Sequence, residues 1–334
     1  MIGGEVVVIT GASAGVGRAT AEAFARRGAR VGLIARGIQR LELAAEAVER
    51  LGGEARICAA DVADADALDW AADEMERGFG PIDIWVNNAM ASVLSPVIEM
   101  KPSEYERVLS VTYLGAVYGT LAALKRMLAR NRGTIIQVGS ALAYRSIPLQ
   151  SAYCAAKHAV VGFTDSLRTE LLHEGRRVRV GIVHLPALNT PQFAWMRNRL
   201  PRAARPVPPI YQPEVAAEAI YWAAHHNRRE LFVGGPTLEA VLGQKLIPGW
   251  LDRYLARTGY EMQQSREPKD PHQPDNLWSP APGAYGARGR FGSQALASSW
   301  ETWVSEHRGW FLGAGFLAAG AYLARRFHRR AAAP

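Results

Sequence analysis

Short apolar runs rich in β-branched residues recur along the first two thirds of the chain, each followed by a longer stretch whose apolar residues return at helical spacing. The runs cover 5–9, 30–35, 54–60, 82–86, 133–140, 178–184 and 230–233. Between them the helical period covers 18–27, 38–51, 65–79, 102–130, 152–172 and 213–225. Strands that alternate with helices of this length predict a parallel sheet with both faces covered, and right-handed crossovers make it doubly wound. The fold class is therefore α/β, a Rossmann-like doubly wound parallel sheet in a single domain with a C-terminal extension. In the extension, 238–255 reads as one or two apolar-faced helices, and 265–299 turns rich in Pro, Gly and Ser, the composition of a linker. The division this predicts is a catalytic domain over 1–260, a flexible linker over 261–299 and an apolar, basic-ended tail over 300–334.

Placing polar residues on that pattern brings candidate chemistry to one edge of the sheet. Thr10-Gly-Ala-Ser-Ala-Gly-Val-Gly17 follows the first strand and opens a helix, so backbone N–H groups and a positive helix end lie where a pyrophosphate would bind. Gly11, Ser13, Gly15, Val16 and Gly17 are the candidates, glycines being needed where a Cβ would block close approach. Asp61 and Val62 follow the third strand, Asn87 and Asn88 the fourth, Ser140 the fifth, and 186–190 the sixth. Ligands of open α/β sheets bind at this carboxyl edge. Tyr153 and Lys157 stand four apart on one helix, so both leave the same face about a turn apart. An ammonium beside a phenol favours the phenolate, and this pairing predicts a lowered Tyr153 pKa and proton exchange with a substrate oxygen. After the second strand stands Leu33-Ile-Ala-Arg36, with no acid to take ribose hydroxyls and one guanidinium suited to a 2′-phosphate, so NADP is preferred over NAD.

Taken together, Thr10-Gly-x-x-x-Gly-x-Gly17, Asn87-Asn-Ala, Ser140 and Tyr153-x-x-x-Lys157 resemble the short-chain dehydrogenase/reductase family, compact type, over residues 4–235. The resemblance implies Tyr153 as general acid/base, Ser140 as the holder of the substrate oxygen, and Lys157 as a ribose ligand that lowers the tyrosine pKa. It also implies adenine contacts from Asp61 and Val62, a ribose contact from Asn88, and a carboxamide contact from Thr190. Three positions depart from the family's pattern. Met90 stands where Gly is usual, Thr112 replaces the catalytic Asn and is expected to anchor a relay water, and Ala187 replaces the Gly after Pro186. The segment 187–212 reads either as the family's substrate lid or as a proline-rich surface loop. As a lid, its aromatics predict an apolar substrate. Met90, Leu142, Phe193 and Trp195 are the candidate pocket walls. Arg197, Arg199, Arg202 and Arg205 are expected to be solvated. The family's pairing of the helices near 113–130 and 152–172 implies a homodimer or homotetramer.

The expected function is NADP-dependent interconversion of a carbonyl and an alcohol on an apolar small molecule. The competing class is a catalytically weak NADP-binding sensor or scaffold of the same fold, resting on the three departures. Charge adds little to the core: of the formal +8, residues 284–334 hold seven Arg against two Glu, a net +5, which leaves +3 elsewhere. No basic stripe in the folded part points to nucleic acid. Cys58 and Cys154 lack metal-site spacing, so no metal is expected and a reduced, cytoplasmic setting fits. The tail changes that picture. Residues 309–324 are uncharged, Trp300, Trp303 and Trp310 lie around their start, and Arg325, Arg326, Arg329 and Arg330 follow. That order predicts attachment to a membrane, although a helix of this stretch reaches only about 24 Å against roughly 30 Å of hydrocarbon, favouring a hairpin or interfacial insertion. The competing reading folds the tail back onto the domain.

Overall fold

The computed structural model describes residues 4–307. Val6–Thr10 (β1) is buried at every position, as a central strand of a covered parallel sheet must be. Gly15–Ala25 (α1), Arg30–Ala35 (β2), Ile38–Arg50 (α2), Glu54–Ala59 (β3), Ala65–Phe79 (α3) and Ile84–Asn87 (β4) follow. Then come Pro102–Leu109 (α4), Gly115–Arg130 (α5), Thr134–Ser140 (β5), Ser151–His173 (α6), Arg179–Leu185 (β6), Pro213–His225 (α7) and Glu230–Phe232 (β7). The seven strands pair in parallel in the order β7-β6-β5-β4-β1-β2-β3. The chain winds outward from β1 to β3 and crosses back to β4, so the strand order reverses between β1 and β4. A crevice opens there, at the carboxyl ends.

Two apolar layers hold the sheet. On one side Trp85, Met75, Met127 and Ile135, all fully buried, pack among α3, α5 and α6. On the other, Phe24, Leu33, Val183 and Ile220 pack among α1, α2 and α7. The helical stretch expected over 102–130 is broken: a π turn at Ser110–Leu114 separates α4 from α5 and turns Val111 and Thr112 inward.

The extension starts as expected with two helices, Gly235–Leu246 (α8) and Pro248–Met262 (α9). Residues 261–299 differ from the flexible linker their composition suggests. Gln264–Pro268 pairs antiparallel with Arg202–Ala204, and Ala295–Leu296 pairs in parallel with Ile210–Tyr211. Leu277, Ala281 and Phe291 are buried against the domain. Prolines and glycines here shape an extended strap whose few anchoring side chains follow no period, which is why composition alone resembles a linker. A short helix, Trp300–Glu306 (α10), is fixed by the Gly234 N–H donating to Thr302 Oγ1 at 3.0 Å. The stretch 309–324, expected to meet a membrane, lies outside the described residues.

Candidate active site

After β1 the chain turns through Gly11, whose φ of +66° suits glycine and whose added Cβ would stand 2.8 Å from Ala89 Cα. Ala14 gives α1 no side-chain cap, so the first-turn N–H groups and the positive helix end are left for the cleft. One of them, Gly15 N–H, donates to Gly286 O of the strap at 3.1 Å. Gly11, Ser13, Gly15 and Val16 line the cleft. Gly17, expected beside them, lies beneath the turn, where a Cβ would stand 2.3 Å from Gly11 O. Its part is to let α1 approach β1. Asn88 lines the cleft, but its amide donates to Thr10 O at 2.9 Å and Gly11 O at 3.2 Å, so it ties the end of β4 to the glycine turn.

At the same end, Arg36 and Arg40 line the cleft and Arg107 reaches it from α4; Asp61 is the carboxylate among them. Burial lowers the Arg36 guanidinium from its ordinary pKa, Asp61 works against that, and Arg107 and Arg40 add to it. Burial would raise the Asp61 carboxyl, yet the bond from Arg107 at 2.5 Å, the Ala63 N–H and the charges of Arg107 and Arg36 hold it below its usual value. Asp61 thus bonds mainly Arg107, with Val62 beside it on the wall. The excess of half-buried positive charge, together with uncapped backbone donors, fits a dinucleotide phosphate group. Arg40 carried a signal in the sequence, four residues after Arg36 at the start of α2. Asn276 of the strap carried none; its carbonyl and that of Leu277 accept from Arg36 across the cleft.

Where β5 ends, Ser140 lies beside the start of α6, and all of Ser140, Tyr153 and Lys157 line the cleft. Ser140 Oγ accepts from Leu142 N–H at 3.1 Å, and its hydroxyl acts to lower the pKa of the Tyr153 phenol. Lys157 Nζ donates to Val138 O at 2.6 Å and stands 5.6 Å from the Tyr153 ring centroid. Tyr153 is half-buried and lines the cleft. The expected lowering of its pKa is not found: burial pushes the phenol well above its ordinary value, while Ser140 opposes this. The Lys157 ammonium is not among the groups that shift it; burial lowers that ammonium itself to about 8. The relay expected of Thr112 also gives way. Its hydroxyl accepts from Ala91 N–H at 2.9 Å and donates to Ala91 O at 3.0 Å, and the residue is 1% exposed, so it pins the chain after β4 to the π turn.

The cleft, about 380 Å³ in all, continues away from the glycine turn. Met90, Leu142, Phe193, Ala187 and Thr190 line the cleft; Trp195 lines it too, but it lies at the cationic end rather than apart from it, with the Arg40 guanidinium 5.1 Å from its ring centroid and its carbonyl accepting from Asn276 N–H at 3.1 Å. The segment 187–212 therefore covers the cleft. Trp195 packs edge-on to Tyr285 of the strap with centroids 4.5 Å apart, and Phe193 likewise to Phe291 at 5.9 Å. Glu104, 1% exposed at the first turn of α4, accepts from Lys101 N–H at 2.8 Å, Arg197 at 2.7 Å and Arg199 at 2.6 Å. Arg197 also pairs with Asp275 of the strap. These two arginines, expected to be solvated, fasten the cover.

Residues 5–200 match the family described as short chain dehydrogenase, which spans more than half of the chain. The chain belongs to that family. It is similar to the uncharacterized oxidoreductase YxnA of Bacillus subtilis (strain 168), 33% identical over 276 residues, covering 82% of this chain and 78% of that one. The fatty acyl-CoA reductase of Acinetobacter baylyi is 32% identical over 222 residues, 66% of this chain and 72% of its own. Among solved structures, an alcohol dehydrogenase from the archaeon Thermococcus sibiricus, complexed with 5-hydroxy-NADP, superposes with a TM-score of 0.60. It is 27% identical, covering 69% of this chain and 95% of its own. This short-chain dehydrogenase is accordingly an oxidoreductase that acts on CH–OH groups. A bound nicotinamide supplies or accepts the hydride. Ser140 offers a hydroxyl on the cleft wall that could take a substrate oxygen and offset charge developing on it. Tyr153, kept protonated at neutral pH by its burial, could give its proton to such an oxygen in reduction and take it back in oxidation. Lys157, held by Val138 O, lines the same cleft 5.6 Å from the phenol ring centroid.

Proposed function

We propose that the protein reduces apolar carbonyl compounds with NADPH and, in reverse, oxidises the corresponding alcohols. The reading rests on one cleft that is cationic at the end of β2 and apolar under the cover, with Ser140 and Tyr153 between. Arg36 and Arg40 suit a 2′-phosphate through charge-assisted bonds, and the relative bound to 5-hydroxy-NADP supports the same cofactor. The fatty acyl-CoA reductase supports a substrate with an apolar chain. Steady-state oxidation of NADPH and NADH with a panel of aliphatic aldehydes and ketones tests it. We expect kcat/KM at least about tenfold higher with NADPH, and an Arg36→Ala variant that loses this preference through KM. Equal values for both cofactors would remove NADP from the reading. Tight NADPH binding without turnover of any carbonyl would favour a sensor or scaffold instead.

We also propose a homodimer or homotetramer through α5 and α6, supported by exposed Leu121 and Leu172 on those helices. Membrane attachment on the cytoplasmic side through the tail is the third part of the reading. Its supports are the uncharged run 309–324, the exposure of Trp300 and Trp303 as the chain approaches it, and the exposed stripe Leu238, Leu242 and Leu246 on α8. Flotation of the full chain with anionic vesicles, compared with a chain ending at His307, tests it. Full-length protein that stays with the soluble fraction would overturn the attachment.

A further inference from the structure

The cover carries four arginines whose environments differ. Arg197 and Arg199 pair with Glu104, and Arg202 with Glu261. Arg205 forms no ion pair among the described residues. Its guanidinium has one long bond, to Gln294 Oε1 at 3.3 Å, and its Nε is buried without a partner. Yet this half-buried side chain lines the cleft.

Its bonds lead to the start of α6 and not to Arg36 or Arg40. The Arg205 N–H donates to Gln263 O at 3.0 Å, and the Gln263 side chain donates to Pro148 O at 2.9 Å and accepts from Gln150 at 2.7 Å. Gln150 is the residue immediately before α6, so the Arg205 backbone is tied, through Gln263, to the end of the helix that carries Tyr153. Pro206, Val207, Pro208 and Pro209 continue the cleft wall with apolar surface. A guanidinium held partly out of water with no carboxylate costs folding free energy, and an anion delivered into the same apolar surroundings offsets that cost. Its planar fork matches an oxoanion.

We propose that Arg205 receives a carboxylate or phosphate at the end of the substrate remote from the carbonyl, so that the substrate class is an apolar carbonyl compound with an acidic head. The proposal rests on the reductase reading given above for the chemistry at Tyr153, but its first test needs no turnover. Binding of octanoate, octyl phosphate and octanamide to the protein saturated with NADP is measured by calorimetry. At least one anion is expected to bind about tenfold or more tightly than octanamide, the better of the two identifying the head. Arg205→Gln should abolish that preference, and Arg205→Lys, which keeps the charge but not the fork, should retain part of it. Equal binding of all three probes to the wild type, or an anion preference that survives in Arg205→Gln, overturns the proposal. The second measurement is NADPH oxidation with 7-oxooctanoate, 7-oxooctyl phosphate and methyl 7-oxooctanoate, where the favoured anion should show a KM about tenfold lower than the ester. Selective binding without turnover of any of them would sink the reductase reading and leave the Arg205 site standing. Turnover with no anion selectivity would do the reverse.

Discussion

The glycine-turn end of the cleft and the covered end are built by different means. The first is made of strand ends and the start of α1, so its donors are backbone N–H groups fixed by the sheet. The second is irregular chain, 187–212, stitched to the strap by two short strand pairs, two aromatic pairs and the Glu104–Arg197–Asp275 links. The first end draws its donors from one local turn, whereas the stitching of the second joins partners about 60 or more residues apart. Changes at the junction should therefore stop chemistry at both ends alike, whereas changes in the stitching should loosen the covered end alone.

The largest effect is expected at the junction. Tyr153→Phe keeps the ring and its packing but removes the transferable proton, so kcat should fall by roughly 10²–10⁴-fold. The dissociation constant for NADPH, read from its fluorescence, should stay within about twofold. A variant that keeps a tenth of wild-type kcat would mean that another group moves the proton.

Glu104 offers a way to separate the two ends. It is buried, and two guanidinium groups of the cover depend on it. Burial acts to raise its carboxyl, but the bonds from Arg199, Arg197 and the Lys101 N–H hold it at about 2 against an ordinary 4.5. A depressed folded pKa contributes stability that is fully present above about 4.5 and is lost as pH falls towards about 2. Glu104→Gln should cost about 3 kcal/mol at neutral pH by urea denaturation and should flatten the acid loss within that window. Substrate KM should rise while NADPH affinity holds. Unchanged stability at pH 7 would show that the cover stands without this link.

The same contrast explains what could be read from the sequence. The sheet, its order of strands and helices, and the positions of Ser140, Tyr153 and Lys157 are legible because each depends on local period or on a strand end. Arg36 is legible for the same reason, at a strand end, whereas Arg40 a turn later is missed although its helical spacing from Arg36 carries the signal. Arg205 is not legible, since its three neighbouring arginines share its surroundings in sequence and differ only in which distant carboxylate they meet. The strap is hidden because Leu277, Ala281 and Phe291 anchor it without periodicity. The Tyr153 pKa was misread for a physical reason: spacing on a helix shows which charge is near, but the degree of burial, which acts in the opposite direction, is set by the cover and by α6 together.

The smallest expected effect lies at the hinge between the two ends, where Thr112 meets Ala91. Both functions of its hydroxyl, acceptor and donor, are taken by the Ala91 backbone in a site closed to water. Thr112→Val fills the same volume and leaves a buried N–H and C=O without their partner, which should cost about 1–2 kcal/mol of stability. Because the side chain does not line the cleft, kcat should stay within about twofold, and Thr112→Ser should restore stability by replacing the hydroxyl alone. Thr112→Asn is predicted to destabilise as well, since a larger amide must enter a space that holds a methyl and a hydroxyl. Urea denaturation and steady-state kinetics on the three variants distinguish a pin from a relay: a tenfold loss of kcat in Thr112→Val with unchanged stability would return the hydroxyl to the proton path.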